Sequence, residues 1–171
     1  MESGILAMTA RAESFELLLA RHQATVLRTA QRLLGCREDA EDAAQEVFLR
    51  LHRHWTSIRL EDGVSSWLYR TTLNVCFDAL RKRRPTVDVE LEQAVEPDQF
   101  RALEQDERRA LLSRALLKLP EKERAAVVLR EIEGLETREV AAILGSSEET
   151  VRSQVSTGRA RLKRILEGGR P

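Results

Sequence analysis

Three groups of side chains in this chain could do chemistry. The first is acidic: Glu38, Asp39, Glu41, Asp42 and Glu46 stand close together, with His52 and His54 soon after. Carboxylates beside imidazoles could hold a hydrolytic metal. On a helix, however, His52 and His54 point to different sides, and no histidine lies four residues from an acid as a zinc pattern needs. There is also no nucleophile motif and no glycine-rich phosphate loop, so neither metal nor cofactor is expected. The acids suit the first turns of a helix, where the dipole favours negative charge. They also suit a docking face for a basic protein partner.

The second group is aromatic and basic. Trp67 and Tyr69 precede Arg81, Lys82, Arg83 and Arg84. Such residues serve either as core and solvated surface or as stacking platforms and phosphate contacts for unpaired DNA. The third group is Arg152, Arg159, Arg161, Lys163 and Arg164, in a stretch with no acid between Thr150 and Arg164. A basic helix face of this kind is often only solvated. Here it follows a tight turn at Gly145, as in a helix-turn-helix. Polar residues at the helix start would meet base edges and the later cations would meet phosphates. Ser146 to Glu149 reads S-x-x-E, a candidate capping box for that helix.

The elements that must position these groups are helical. Leu, Ala, Arg and Glu dominate, aromatics make up only 4% and prolines number 4, a mixture that favours helices over strands. Phe15, Leu18, His22, Val26, Ala30 and Leu33 recur at helical spacing, and Gly35 ends that helix. Ala40, Ala44, Val47, Phe48, Leu51 and Trp55 line a second helix that starts near Asp39. Leu68, Thr72, Val75 and Ala79 line a third, from about Ser66 to Arg84, which Pro85 stops. Leu103, Ala110, Leu111 and Leu117 mark a helix ending before Pro120. Helices over Glu121 to Glu133, Thr137 to Leu144 and Ser146 to about Glu167 follow, with Ala141, Ile143, Leu144, Val151, Val155 and Leu162 turned inward.

The formal net charge is zero, but it is unevenly distributed. Residues 1–85 carry net +2, residues 86–107 net −7 and residues 108–171 net +5. The reading is an all-α chain of two small helical domains, 13–85 and 108–167, joined by a flexible acidic linker over 86–107. Each block is small enough that its core is marginal alone. No apolar run reaches the roughly 20 residues of a membrane span, and no signal-peptide pattern opens the chain, so a cytoplasmic location is expected. Cys36 and Cys76 belong to no ligand set and are expected to be reduced thiols.

Together, DAEDAAQEVFLRL (39–51), SSWLYRTTLNVCFDALRKRR (65–84) and LPEKERAAVVLREIEGLETREVAAILGSSEETVRSQVSTGRARL (119–162) resemble the extracytoplasmic-function (ECF) sigma factors of bacterial RNA polymerase. The resemblance runs over roughly residues 13–167. It implies a sigma region two, which binds core polymerase and opens the −10 promoter element, and a sigma region four, which reads the −35 element. The chain would be a non-enzymatic transcription initiation factor, with core polymerase, promoter DNA and an anti-sigma factor as partners.

By that resemblance, Asp39, Asp42, Gln45 and Glu46 dock on core polymerase. Trp67, Tyr69, Arg70, Asn74, Arg81 and Arg84 meet the −10 element, with the loop Thr56 to Val64 capturing a base. Arg152, Ser153, Gln154, Ser156, Thr157 and Arg159 meet the −35 element. Gln154, Ser156 and Thr157 stand where many members carry Arg, an aromatic or His, and Arg, which implies an uncommon −35 preference. The rival reading is a regulator that uses the same helix-turn-helix without binding polymerase. It would have no need for the acidic face.

Overall fold

In a computed structural model, residues 2–58, 63–83 and 100–168 are described, with side chains from residue 14 in the first stretch and from residue 107 in the last. Every regular element among them is helical. Residues 86–99 of the linker expected over 86–107, Arg84, and residues 59–62 of the Thr56–Val64 loop lie outside the described residues; residues 100–107 of that expected linker are instead helical, since the next helix starts at Phe100.

Three long helices form the N-terminal unit: α1 (Glu2–Leu34), α2 (Arg37–His54) and α3 (Val64–Arg83). Their apolar faces meet as the spacing predicts. Val26, Ala30 and Leu33 of α1, Ala40, Val47 and Leu51 of α2, and Leu68, Val75 and Cys76 of α3 are buried together. Full burial of a Leu or Val contributes about 1.5–3 kcal/mol, so these side chains supply most of the driving force. Gly35 turns the chain from α1 into α2 at φ 71°, and its N–H closes on Gln31 O at 2.8 Å. A side chain would be strained there.

The C-terminal unit is built of shorter pieces: α4 (Phe100–Leu117), α5 (Glu121–Val127), α6 (Thr137–Leu144) and α7 (Glu148–Gly168). Leu111, expected on the inner face of α4, is exposed; Ala115, Leu116 and Leu119 take that role. The helix expected over Glu121 to Glu133 changes character after α5. Val128–Ile132 forms a π-helical turn, and the Glu133 N–H reaches back to Val128 O at 2.9 Å. π-Turns of this kind frequently lie at functional sites. Gly134 follows in the left-handed region at φ 74°.

α6 and α7 enclose the turn at Gly145, φ 62°. Val140, Ala141 and Ile143 of α6 and Val151, Val155 and Leu162 of α7 are buried; α7 packs on α5 and on α6. The cap of α7 differs from expectation by one residue. Ser147, not Ser146, accepts the Thr150 N–H at 3.1 Å, because the helix starts at Glu148 and Ser147 is therefore its N-cap residue. Ser146 Oγ is buried without a hydrogen-bond partner.

The two units pack directly on one another. Leu117 of α4 sits so close to Gly35 that a β-carbon there would lie 2.6 Å from Leu117 Cδ1. Arg124, only 5% exposed, donates to Leu117 O at 2.8 Å, Leu119 O at 2.9 Å and, across the boundary, Leu33 O at 3.2 Å. These carbonyls end α4 and α1, where no intrahelical donor remains and the helix dipole favours a cation.

Candidate polymerase and promoter interfaces

The candidate docking residues of α2 divide into two sets. Asp42 and Gln45 are exposed, and Glu46 is partly exposed with its carboxylate on Arg50 Nε at 2.7 Å. Asp39 is different. Its side chain is 18% exposed and bound through both oxygens by Arg83 of α3. Those hydrogen bonds hold its carboxyl below the ordinary range, against the opposing effect of burial. Asp39 thus fastens α2 to α3, and it is not the freely exposed acid that its neighbours suggest.

Beside Glu41 and Gln45 lies a feature missed at the level of sequence: an apolar groove of about 750 Å³ between α1 and α2. Phe15, Leu19 and Leu27 form one wall, Ala44, Phe48 and Leu49 the other, and Glu41 and Gln45 edge it. Leu49 is 52% exposed. The available signal was Leu49 itself, an apolar residue off the inward-facing stripe of α2. Among the described residues no group of three or more His, Cys, Asp and Glu side chains could hold a metal ion. His52 instead meets Phe15 edge to face, with ring centres 5.4 Å apart.

On α3, Trp67, Arg70, Asn74, Asp78 and Arg81 recur at three-, four-, four- and three-residue intervals and so share one stripe. Trp67 is half-buried against His54, at 6.2 Å between ring centres. Arg70 and Asn74 are exposed. Arg81 bonds Asp78 at 3.1 Å and Glu121 of the other unit at 2.8 Å. Tyr69 is not part of this stripe. It lies on the α1 side, lining a smaller cleft of about 230 Å³ with Arg21, His22, Thr25 and Ser65. Burial, and then Arg21, lowers the His22 pKa, which favours a neutral imidazole.

On α7, Arg152, Ser153, Ser156, Thr157 and Arg159 are all exposed and lie on one broad face. Arg152 pairs along the helix with Glu148 at 2.9 Å, and Arg159 approaches Glu131 at 3.8 Å. Gln154 departs from the group. It is half-buried, with its amide oxygen buried and unpartnered, because it lies about 200° around the helix from Arg152. Gly158, unnoticed in the sequence, is buried against α5, and a β-carbon there would stand 2.7 Å from Val127 Cγ2.

Comparison with known proteins accounts for both units. The family model for sigma-70 region 2 matches residues 18–86, and that for sigma-70 region 4 matches residues 109–162. The chain is 39% identical to the ECF RNA polymerase sigma factor SigM of Mycobacterium tuberculosis, over 90% of this chain and 77% of that protein. The chain belongs to the ECF sigma factors. It is also 32% identical to the sigma-E factor of Escherichia coli, over 86% and 83% of the two chains. Among solved structures it resembles the sigma factor RpoE of Bartonella quintana in complex with the anti-sigma factor NepR. The TM-score is 0.75 at 25% identity, over 92% of this chain and 99% of that one.

As a member of this family the protein directs transcription initiation by RNA polymerase and is not an enzyme. The N-terminal unit carries region 2 and the C-terminal unit region 4 with its helix-turn-helix. Among the described residues no helix is long and apolar enough to cross a membrane.

Proposed function

We propose that region 2 of this sigma factor docks on core polymerase through the apolar groove between α1 and α2 and its polar edge. The groove is the observation that carries this reading. A regulator that works by its helix-turn-helix alone has no use for an exposed apolar channel beside Glu41 and Gln45, and large exposed apolar surface marks interaction sites. Asp39 contributes by fixing α2 on α3, with Arg83 as its partner.

The promoter contacts follow from the two exposed faces. Trp67, Arg70, Asn74 and Arg81 face the −10 element, with Tyr69 beside the cleft at α1; Arg84, outside the described residues, is assigned to the same element by the family resemblance alone. Arg152, Ser153, Ser156, Thr157 and Arg159 face the −35 element. Gln154 supports the helix more than it reads a base, since its oxygen is turned inward. The chain divides into region two over 13–85 and region four over 108–167; of the linker expected over 86–107, residues 100–107 belong to α4. It works in the cytoplasm. An anti-sigma factor holds it in reserve, as the Bartonella quintana relative was solved with one.

Co-elution with bacterial core polymerase on a sizing column tests the docking face. The wild-type chain is expected to co-elute. Asp42→Lys combined with Leu49→Glu, two exposed positions, is expected to weaken binding at least tenfold with helicity intact. Equal co-elution of this variant would remove the groove from the interface. Asp39 is left unchanged because its loss would also disturb the packing of α2 on α3.

A further inference from the structure

The reading helix of region 4 carries little uncompensated positive charge. Arg152 lies 2.9 Å from Glu148, Arg159 3.8 Å from Glu131, Arg161 3.0 Å from Glu123 and Lys163 3.8 Å from Glu167. Four of the five cations of α7 thus face a carboxylate of their own chain. Its opening residues, Glu148 to Val155, hold two acids against the single cation Arg152, net −1. The Ser147 hydroxyl is engaged in the cap: it accepts the Thr150 N–H and shares a hydrogen bond of 2.8 Å with the Thr150 hydroxyl. Glu149 is left. It is exposed, and among the described residues its side chain has neither an ion-pair nor a hydrogen-bond partner.

We infer that Glu149 is a specificity-determining residue of the −35 interaction, a carboxylate that selects a cytosine in the major groove. This rests on the assignment of α7 to the −35 element. Glu149, Ser153 and Ser156 follow at intervals of four and three residues and share one stripe. All three are exposed, on the side of α7 away from the buried Val151, Val155, Gly158 and Leu162. The two serines are short, so Glu149 is the side chain that extends furthest from this stripe. Residues at the start of a recognition helix are the ones that reach base edges.

The edges of the four bases decide what a carboxylate can accept. In the major groove guanine shows two acceptors, thymine an acceptor and a methyl group, and adenine an acceptor beside its amino group. Cytosine alone shows a donor, its N4–H, with no acceptor of its own. A carboxylate accepts from that donor and is repelled by the acceptors of the other bases. Selection therefore works largely by exclusion, since a wrong base leaves the carboxylate without its water and without a partner. Complementing the helix dipole does not require Glu149. Glu148 already stands in the first turn, and the Ser147 cap holds the helix start.

Selection by the reconstituted holoenzyme tests this. The full-length chain with core polymerase is incubated with duplex promoter DNA randomised across the −35 element, and the bound DNA is sequenced. The wild type is expected to enrich cytosine at one position, counting either strand, by roughly fivefold or more, the scale of one mismatched base pair. Glu149→Ala is expected to lose that enrichment and keep the preferences at other positions. Glu149→Gln, whose amide pairs with adenine, is expected to move the preference toward adenine. Glu167→Ala, the same loss of charge at the far end of α7, is the control and should select as the wild type does. An unchanged cytosine preference in Glu149→Ala would overturn the inference, and a lower melting midpoint in that variant would then assign Glu149 to the helix dipole alone. Equal weakening at every position would overturn it as well. Arg152→Ala separates this inference from the reading beneath it. If Arg152→Ala and Glu149→Ala both select as the wild type does, α7 does not read the −35 element. If only Glu149→Ala does so, α7 keeps that role and Glu149 loses its own. Should the chain fail to bind core, the same selection is run on the free chain, with the same outcomes deciding.

Discussion

The helices proposed to meet the two promoter elements are embedded differently. α7 buries one narrow stripe, Val151, Val155, Gly158 and Leu162, flanked by the half-buried Gln154 and Ile165, and leaves the opposite face to solvent. α3 buries Leu68, Thr71, Thr72, Leu73, Val75, Cys76 and Phe77, which cover most of its circumference. The remaining edge of α3, around Arg70 and Arg81, is the part that region 4 touches. The difference shows that one helix can present a broad free face from a single buried stripe, whereas the other is embedded nearly all round and has its free edge covered by region 4. Region 2 draws on three helices of 33, 18 and 20 residues. Region 4 packs shorter helices around Leu116, Val128, Leu129, Val140 and Val151, with the buried Arg124 and the close contact at Gly158 among them.

The largest effect is expected at Arg124. Replacing it by alanine leaves three carbonyls without their donor, at about 1–3 kcal/mol for each buried unsatisfied group. A loss of about 2–4 kcal/mol is expected, since solvent and small shifts recover part of it. Hydrogen exchange should show it unevenly, with protection falling in α4 to α7 and persisting in α1 to α3. Equal loss in both regions would mean that they unfold as one unit, with the Leu33 contact coupling them.

Gly158 sharpens the contrast at smaller scale. Valine there would press on Val127 Cγ2, and Glu123 Cβ and O lie 3.5 Å from the β-carbon position. Overpacking of this kind costs about 1–3 kcal/mol. Thermal melting of Gly158→Val should show a lower midpoint. Gly168→Val, where nothing lies within 4 Å of the new β-carbon, should melt like the wild type. If both variants melt alike, the α5–α7 contact is looser than its distances imply.

Much of this architecture is legible in the residues. The inward stripes of α1, α2 and α7 are visible as three- and four-residue spacing, and Gly35, Gly134 and Gly145 mark three helix ends. The motifs at 39–51, 65–84 and 119–162 point to the family, and the comparisons bear that out. What escapes depends on tertiary placement. Periodicity describes one helix at a time, so it could not reveal that Leu49 opens onto a groove or that Leu111 faces outward. It could not separate Tyr69 from the Trp67 stripe by function, although their spacing of two does so geometrically. Nor could it show that Glu133 and Arg124 serve the boundary between regions, because their partners lie 101 and 91 residues away in the chain.

Asp39 gives the smallest and most specific test, within region 2 alone. Its carboxyl is held below the ordinary value of 3.8 chiefly by hydrogen bonds from Arg83, and the Arg83 pKa is raised in return. A carboxyl depressed on folding stabilises the fold above its unfolded pKa, and that contribution is lost as pH falls through the folded value. Near neutral pH, Asp39→Asn should therefore be less stable than the wild type. Arg83 is half-exposed, so solvent screens the pair and the gap should be about 1 kcal/mol or less. Urea denaturation repeated from pH 7 downward should show the gap closing below about pH 4, as the wild-type carboxylate takes up its proton. A gap that holds constant with pH would mean that Asp39 acts through neutral hydrogen bonds and shape. Closure of the gap would establish the ion pair as the fastening between α2 and α3, and would explain why the acidic face contains one residue that is not on offer to a partner.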